Sequence, residues 1–167
     1  TGLEHCKAIM SIDLSDNEIA DLAPLKGLDR LQQIILNNNR IADLSPLSET
    51  VALQYLGIEN NQVKSLKPLE KLERLSSLYA EGNQITDLTP ITNLPKLGSI
   101  FLNNNQISKI DGISKAGKGR IWSLGLGGNQ IVDLAPLKGL KAQSMIFLND
   151  NKITDLTPVV DLMKADL

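Results

Sequence analysis

Apolar and polar positions recur along this chain with a long period of about 22 residues, on top of a short alternation within each period. Asparagines mark the phase at Asn17, Asn39, Asn61, Asn83, Asn105, Asn129 and Asn151, with spacings of 22, 22, 22, 22, 24 and 22. Aliphatic residues mostly stand eight, five and three places before each asparagine, and two and five after it. Around Asn39 these are Leu31, Ile34, Leu36, Ile41 and Leu44; around Asn105 they are Leu97, Ile100, Leu102, Ile107 and Ile110. In six repeats a proline follows at the seventh place: Pro24, Pro46, Pro68, Pro90, Pro136 and Pro158.

The stretch Leu-x-Leu-x-x-Asn alternates with period two, which predicts a short strand with one buried face. One such unit cannot bury its own apolar side, so neighbouring copies must stack. The stacked strands are then parallel and about 4.8 Å apart. The asparagine falls where the chain leaves the strand, and its amide is expected to satisfy backbone groups of its own and the next coil. Left unpaired, such buried groups cost about 1–3 kcal/mol each. Asp21, Asp43, Asp87, Asp133 and Asp155 come four places after an asparagine. An aspartate there can cap a short helical turn, and a proline in its first turn sacrifices no hydrogen bond. The return segment is too short for a full α-helix, so one or two 3₁₀ turns are expected on the outer side. The fold class is therefore α/β: a right-handed solenoid with a parallel sheet on its concave side and 3₁₀ or short helical turns on its convex side. Residues 1–167 read as a single domain of about seven repeats with uncapped or truncated ends.

Departures from the frame are expected to matter. Gly112 replaces the proline of the fifth repeat, and two extra residues fall in Ser114–Arg120, predicting a basic loop that bulges outward. It reads either as a tolerated insertion or as a secondary contact site. Gln143 replaces a core leucine of the last repeat. Thr50 replaces another in the second, where Val51 is expected to compensate.

With the frame Leu-x-x-Leu-x-Leu-x-x-Asn-x-Ile-x-Asp-Leu-x-Pro-Leu assembled, the chain resembles the leucine-rich repeats of bacterial internalins. The run Asn83-Gln84-Ile85-Thr86-Asp87-Leu88-Thr89-Pro90-Ile91 carries the likeness most clearly. It is also similar to the class containing the leucine-rich regulatory subunit of protein phosphatase 1. The likeness covers essentially the whole chain. It implies protein partners bound on the concave sheet, and a secreted or cell-surface bacterial protein; the phosphatase-subunit relatives imply the cytoplasm instead. Internalins carry a helical cap before their repeats and often an immunoglobulin-like module after them, and neither is visible here.

Charge and composition narrow the chemistry. The formal net charge is −2, which suggests neither a polycation for nucleic acid nor an acidic tail. No apolar run approaches the length of a membrane span. Cys6 is the single cysteine, read either as a small buried hydrophobe or as a free thiol near a frayed end. His5 is the only histidine. No paired-histidine metal site, zinc spacing or nucleophile elbow is present. Gly125, Gly127 and Gly128 lie in a repeat strand and its turn, not before a helix, so they do not read as a phosphate loop. No catalytic residue, cofactor or metal is expected, and the chain reads as a non-enzyme.

The phase also says which side chains leave the sheet outward: those seven, six, four, two and one places before each asparagine. These positions hold no Lys or Arg in any repeat, although 17 are present in the chain. They hold Asp13, Asp16, Glu59, Glu81 and Asp150, and every aromatic residue: Tyr55, Tyr79, Phe101, Trp122 and Phe147. Strand propensity alone accounts for rings on a sheet. It does not account for the missing cations, which favours a docking surface. Tyr79 and Phe101 should be row neighbours, with Tyr55 diagonal to Tyr79 and a gap at Gly125 before Phe147. Glu59 and Glu81 should be adjacent, most simply as solvated surface carboxylates. Asn37, Asn103 and Asn149, with Asn38, Asn60 and Asn104, offer donors and acceptors or simply favour turns. The expected site is Tyr55, Tyr79, Phe101, Trp122, Phe147, Glu59, Glu81 and Asn103, binding a neutral or basic protein segment. A carbohydrate ligand and a purely structural spacer are the alternatives. Nucleic acid is excluded from this face by its lack of cations.

Overall fold

The computed structural model describes residues 2, 5–141 and 145–164. Seven three-residue strands form one parallel sheet in chain order: β1 (Ser11–Asp13), β2 (Gln33–Ile35), β3 (Tyr55–Gly57), β4 (Ser77–Tyr79), β5 (Ser99–Phe101), β6 (Ser123–Gly125) and β7 (Met145–Phe147). Each strand pairs with the next at the repeat offset, so Ile34 faces Leu56, Leu78 faces Ile100, and Tyr79 faces Phe101. Short 3₁₀ turns such as Ala23–Leu25 and Thr89–Ile91 return the chain on the other side, with proline in the first turn. The architecture is the expected solenoid. The aliphatic frame positions of the middle coils are almost wholly buried, Leu31, Ile34, Leu56, Leu78 and Ile100 among them.

In the five repeats that carry it, the aspartate precedes the 3₁₀ or helical turn as expected. Its carboxylate accepts the N–H of the turn's first residue: Asp21 from Ala23, Asp87 from Thr89 and Asp133 from Ala135, at 2.8–2.9 Å. Ser45 and Thr157 add a hydroxyl donor to Asp43 and Asp155, which holds both carboxyls below their usual range.

The phase-marking asparagines stitch coil to coil in the opposite sense to the one expected. Asn83 donates its amide to Ala80 and Glu81 carbonyls of its own coil and to the Ile58 carbonyl of the preceding one. Its oxygen accepts the Val63 N–H, again from the preceding coil. Asn39, Asn61, Asn105, Asn129 and Asn151 repeat this geometry. The amide reaches backward to a carbonyl that already accepts from the earlier coil's own asparagine, as Ile58 does from Asn61, and fills its second lone pair.

Several further expectations are corrected. Thr50 is itself buried, at 2% exposure, while Val51 points out at 56%, so the threonine keeps the core slot without help. Cys6 is exposed rather than buried. The insertion at 113–119 does not bulge freely. Ile113, Ala116 and Gly119 are buried in it, and Gly117 donates its N–H to Leu94 of the preceding coil at 3.0 Å. Gly117 has φ 58°, and a Cβ there would lie 2.5 Å from the Leu97 carbonyl oxygen, so glycine is required. The extra residues are taken up by a kink that keeps the coil packed; only Lys115, Lys118 and Arg120 project. Gln143 lies outside the described residues. The last outer segment is an α-helix, α1 (Thr157–Lys164), not a 3₁₀ turn. Its Val159 and Leu162 pack against the core.

Candidate functional site

The register converts repeat positions into straight rows across the sheet. One row runs Asp13, Ile35, Gly57, Tyr79, Phe101, Gly125, Phe147. Tyr79 and Phe101 stack at 5.0 Å between centroids with planes 9° apart. Tyr55, two residues before Gly57, stacks on Tyr79 at 5.1 Å. The ring leans over Gly57, where a Cβ would only touch it at 3.6 Å but would crowd the Asn37 side-chain oxygen at 3.0 Å. The gap expected at Gly125 is closed in the same way. Phe101 and Phe147 meet across it at 6.4 Å, and a Cβ at Gly125 would lie 2.8 Å from Phe101 Cδ1. Four rings thus form one continuous ladder from β3 to β7. Pairs of this kind add about 0.5–1.5 kcal/mol beyond the area they bury.

Trp122 does not join them. It stands at the start of β6, 57% exposed, with its indole lying over Gly98 of the preceding coil, where any Cβ would collide with Cδ1. The expected cluster of Tyr55, Tyr79 and Phe101 is therefore extended by Phe147, and Trp122 stands apart.

Beside the rings runs a polar row: Ser15, Asn37, Glu59, Glu81, Asn103, Gly127 and Asn149. Glu59 and Glu81 are neighbours as expected, but not freely solvated. Both are half-buried, and their carboxyls hydrogen-bond to each other. Asn37 donates its amide to Glu59 from one side, and Asn103 donates to Glu81 from the other. The amide oxygens are used too: Asn37 accepts the Glu59 N–H and Asn103 accepts the Gly127 N–H. Partial burial, then the hydrogen bond to Glu81, then that group's charge raise the Glu59 carboxyl from 4.5 to about 7. Burial, followed by the proximity of Tyr79 and Glu59, also raises the Tyr55 hydroxyl. Asn37 escaped the sequence-derived site, although its place in the same row as Glu59 was the signal for it.

The next row, Asp16, Asn38, Asn60, Gly82, Asn104, Gly128 and Asp150, is left-handed throughout, with φ from 52° to 66°. Asn, Asp and Gly are the residues that tolerate this conformation. Asn38 and Asn60 spend their amides on Asp16 and Asn38 in turn. The turn requirement accounts for this row without a ligand. Asn149 donates to the adjacent Asp150.

Between the ring ladder and the carboxyl row lies an open hollow of about 470 Å³, lined by Glu59, Tyr79, Glu81, Phe101, Asn103 and Phe147. Among the described residues no cluster of three or more His, Cys, Asp or Glu is placed to hold a metal ion, and no helix is long and apolar enough to cross a membrane.

A leucine-rich repeat family model matches residues 6–82, and a second, describing two leucine-rich repeat copies, matches residues 73–115. No curated protein sequence matches the chain. Among solved structures, internalin C2 of Listeria monocytogenes superposes with a TM-score of 0.89 at 28% identity, covering 96% of this chain and 70% of its own. The internalin InlF of the same organism gives 0.67 at 27% identity, covering 97% and 61%. A leucine-rich repeat protein of Leptospira interrogans shares the fold at 0.85 and 21% identity, covering 97% of this chain and 43% of its own. Repeat frame, asparagine stitching, sheet order and these likenesses agree: the chain is an internalin-like leucine-rich repeat protein.

Proposed function

We propose that this chain is a non-enzymatic protein-binding module that uses the open face of its sheet. The observation that carries the reading is the unbroken ladder Tyr55–Tyr79–Phe101–Phe147 across five strands, on a face with no cation in any repeat. Rings already immobilised against one another lose little entropy on binding, as hot-spot residues should. The partner segment is neutral or basic. Its apolar side chains lie along the ring edges, and a donor or cation reaches the Glu59–Glu81 pair across the hollow.

Ring geometry weighs against the carbohydrate alternative on this face. A sugar stacks on an exposed ring face, whereas Tyr79 and Phe101 turn both faces to neighbouring rings and present their rims. The rims carry the positive part of the quadrupole, so a basic group belongs at the carboxyl pair. The internalin likeness supports a location outside the cell or on its surface.

The test is a peptide library displayed and selected on the intact chain, then titrated against the Tyr79→Ala/Phe101→Ala variant. Selected sequences should combine apolar and basic residues, and the variant should bind them about 100-fold more weakly, as loss of hot-spot aromatics does. Equal binding to both proteins, or an acidic consensus, would remove the proposal.

A further inference from the structure

A second exposed surface has the opposite electrostatic character. It is the flank where each coil runs from its 3₁₀ turn back to the next strand. In coils four to six this flank comprises residues 89–98, 113–122 and 135–141. These segments contain Lys96, Lys115, Lys118, Arg120, Lys138 and Lys141, and no carboxylate. All six cations are exposed. In the first three coils the same flank is mixed, with Asp29 between Lys26 and Arg30, Glu49 alone, and Glu70 and Glu73 among Lys67, Lys71 and Arg74.

The fold brings the six together. Gly117 donates to Leu94, Trp122 to Gly98, and Lys141 to Gly119, so the three segments are hydrogen-bonded neighbours. Lys96 and Arg120 occupy equivalent places in adjacent coils, with backbones about one strand spacing, ~4.8 Å, apart. Like charges so placed repel. Asp87, Asp111 and Asp133 each stand two residues before one of the three turns, and among the described residues none of them is ion-paired to these six cations. Lys118 is held in a left-handed conformation, φ 57°, by the packed kink on either side.

Trp122 lies at the edge of this flank, two residues after Arg120, over Gly98, which itself follows Lys96 by two. One side of its indole is against the Gly98 backbone, and 57% of the residue remains open. An open aromatic face framed by cations suits a ligand that is anionic and carries an apolar ring face.

We propose that this flank binds an anionic sugar polymer, its sulfate or carboxylate groups on Lys96, Arg120, Lys141 and the insertion lysines, and one sugar ring on Trp122. Five of the six cations are lysines, which act as point charges; arginine forks would favour phosphate. A single ring gives one stacking platform, where single-stranded nucleic acid uses several in succession. A lipid surface would require more than one protruding apolar side chain.

The experiment titrates the whole chain with heparin at several salt concentrations, beside a 20-nucleotide oligothymidine and phosphatidylserine vesicles. Heparin affinity is expected to fall linearly with salt on logarithmic axes. The Lys96→Ala/Arg120→Ala/Lys141→Ala variant should bind about tenfold or more weakly, with the slope reduced by about 2 to 3. Trp122→Ala should weaken binding about fivefold or more with the slope unchanged, as loss of a stacking ring does. All four side chains are exposed, and matched thermal unfolding establishes that the variants fold. The proposal is overturned if the triple variant keeps wild-type affinity and slope, or if Trp122→Ala binds heparin as wild type does. Tighter binding of oligothymidine or vesicles than of heparin overturns it equally, in favour of nucleic acid or membrane.

Discussion

The open face of the sheet and the flank beside it belong to the same coils, a few residues apart along the chain, yet they have been filled by opposite rules. The face has rings and carboxyls and no cation; the flank of coils four to six has cations and no carboxylate. In a globular domain such segregation has to be assembled from distant parts of the sequence. Here every repeat position has a fixed direction, so a choice of residue at one place in the period, made several times, becomes a stripe. Charge is partitioned by angle around the solenoid, and each stripe is a separate surface with its own ligand chemistry.

What the two surfaces share is the scaffold, and the largest effect comes from damaging it. Asn83→Ala leaves the buried N–H of Val63 without a partner and takes one of two donors from each of the carbonyls of Ile58, Ala80 and Glu81, which keep Asn61, Asn105 and the Asn60 N–H. Denaturant unfolding should show a loss of about 2 to 3 kcal/mol. Both surfaces should weaken together, and loss of one alone would mean that they do not depend on common stitching.

A smaller effect separates them by pH. The Glu59 carboxyl is raised from 4.5 to about 7 in the folded chain, so the folded state holds its proton more tightly than the unfolded one. Its favourable contribution is complete below pH 4.5 and is lost as the pH rises to about 7. After allowance for solvent screening this amounts to about 1 to 2 kcal/mol. Glu59→Gln keeps a hydrogen-bond donor toward Glu81 and should flatten the unfolding free energy between pH 5 and 7, roughly the range between the two values. A variant with the wild-type slope would place the titration elsewhere. Heparin binding on the flank should be indifferent to the substitution.

The finest test concerns the ladder alone. Gly125→Ala puts a methyl where Phe101 and Asn103 already stand. It should part Phe101 from Phe147 at a stability cost of about 1 kcal/mol, in the range of a mild overpacking. Ring-current shifts of the Phe147 protons report the separation; if they persist, the rings are not held together by the space over Gly125.

How far the sequence could be read depended on whether a property belongs to one repeat or to the contact between repeats. Asn39 and its equivalents fix the phase, and the phase alone places Leu31, Ile34 and Leu36 in the core and Tyr79 beside Phe101. Contacts between rows of unlike residues were not legible. Nothing in the spacing says that Phe101 and Phe147 close over Gly125 or that Trp122 settles on Gly98 away from the other rings. Each depends on which neighbour leaves a vacancy, and a repeat pattern treats glycine as merely one more position. The direction of the asparagine bonds, the burial of Thr50 and the helical form of α1 were likewise decided between coils.

The sequence by itself thus determined the period, the strand and turn positions, the burial of the aliphatic frame and the absence of cations on the sheet face, because these follow from the 22-residue phase and the polarity of side chains. Only the tertiary structure decided which rings touch, which carboxyl is raised by its burial beside another and which lysines are crowded together. Those outcomes turn on a few ångströms of space and on desolvation, and both come into being only when one coil is laid on the next.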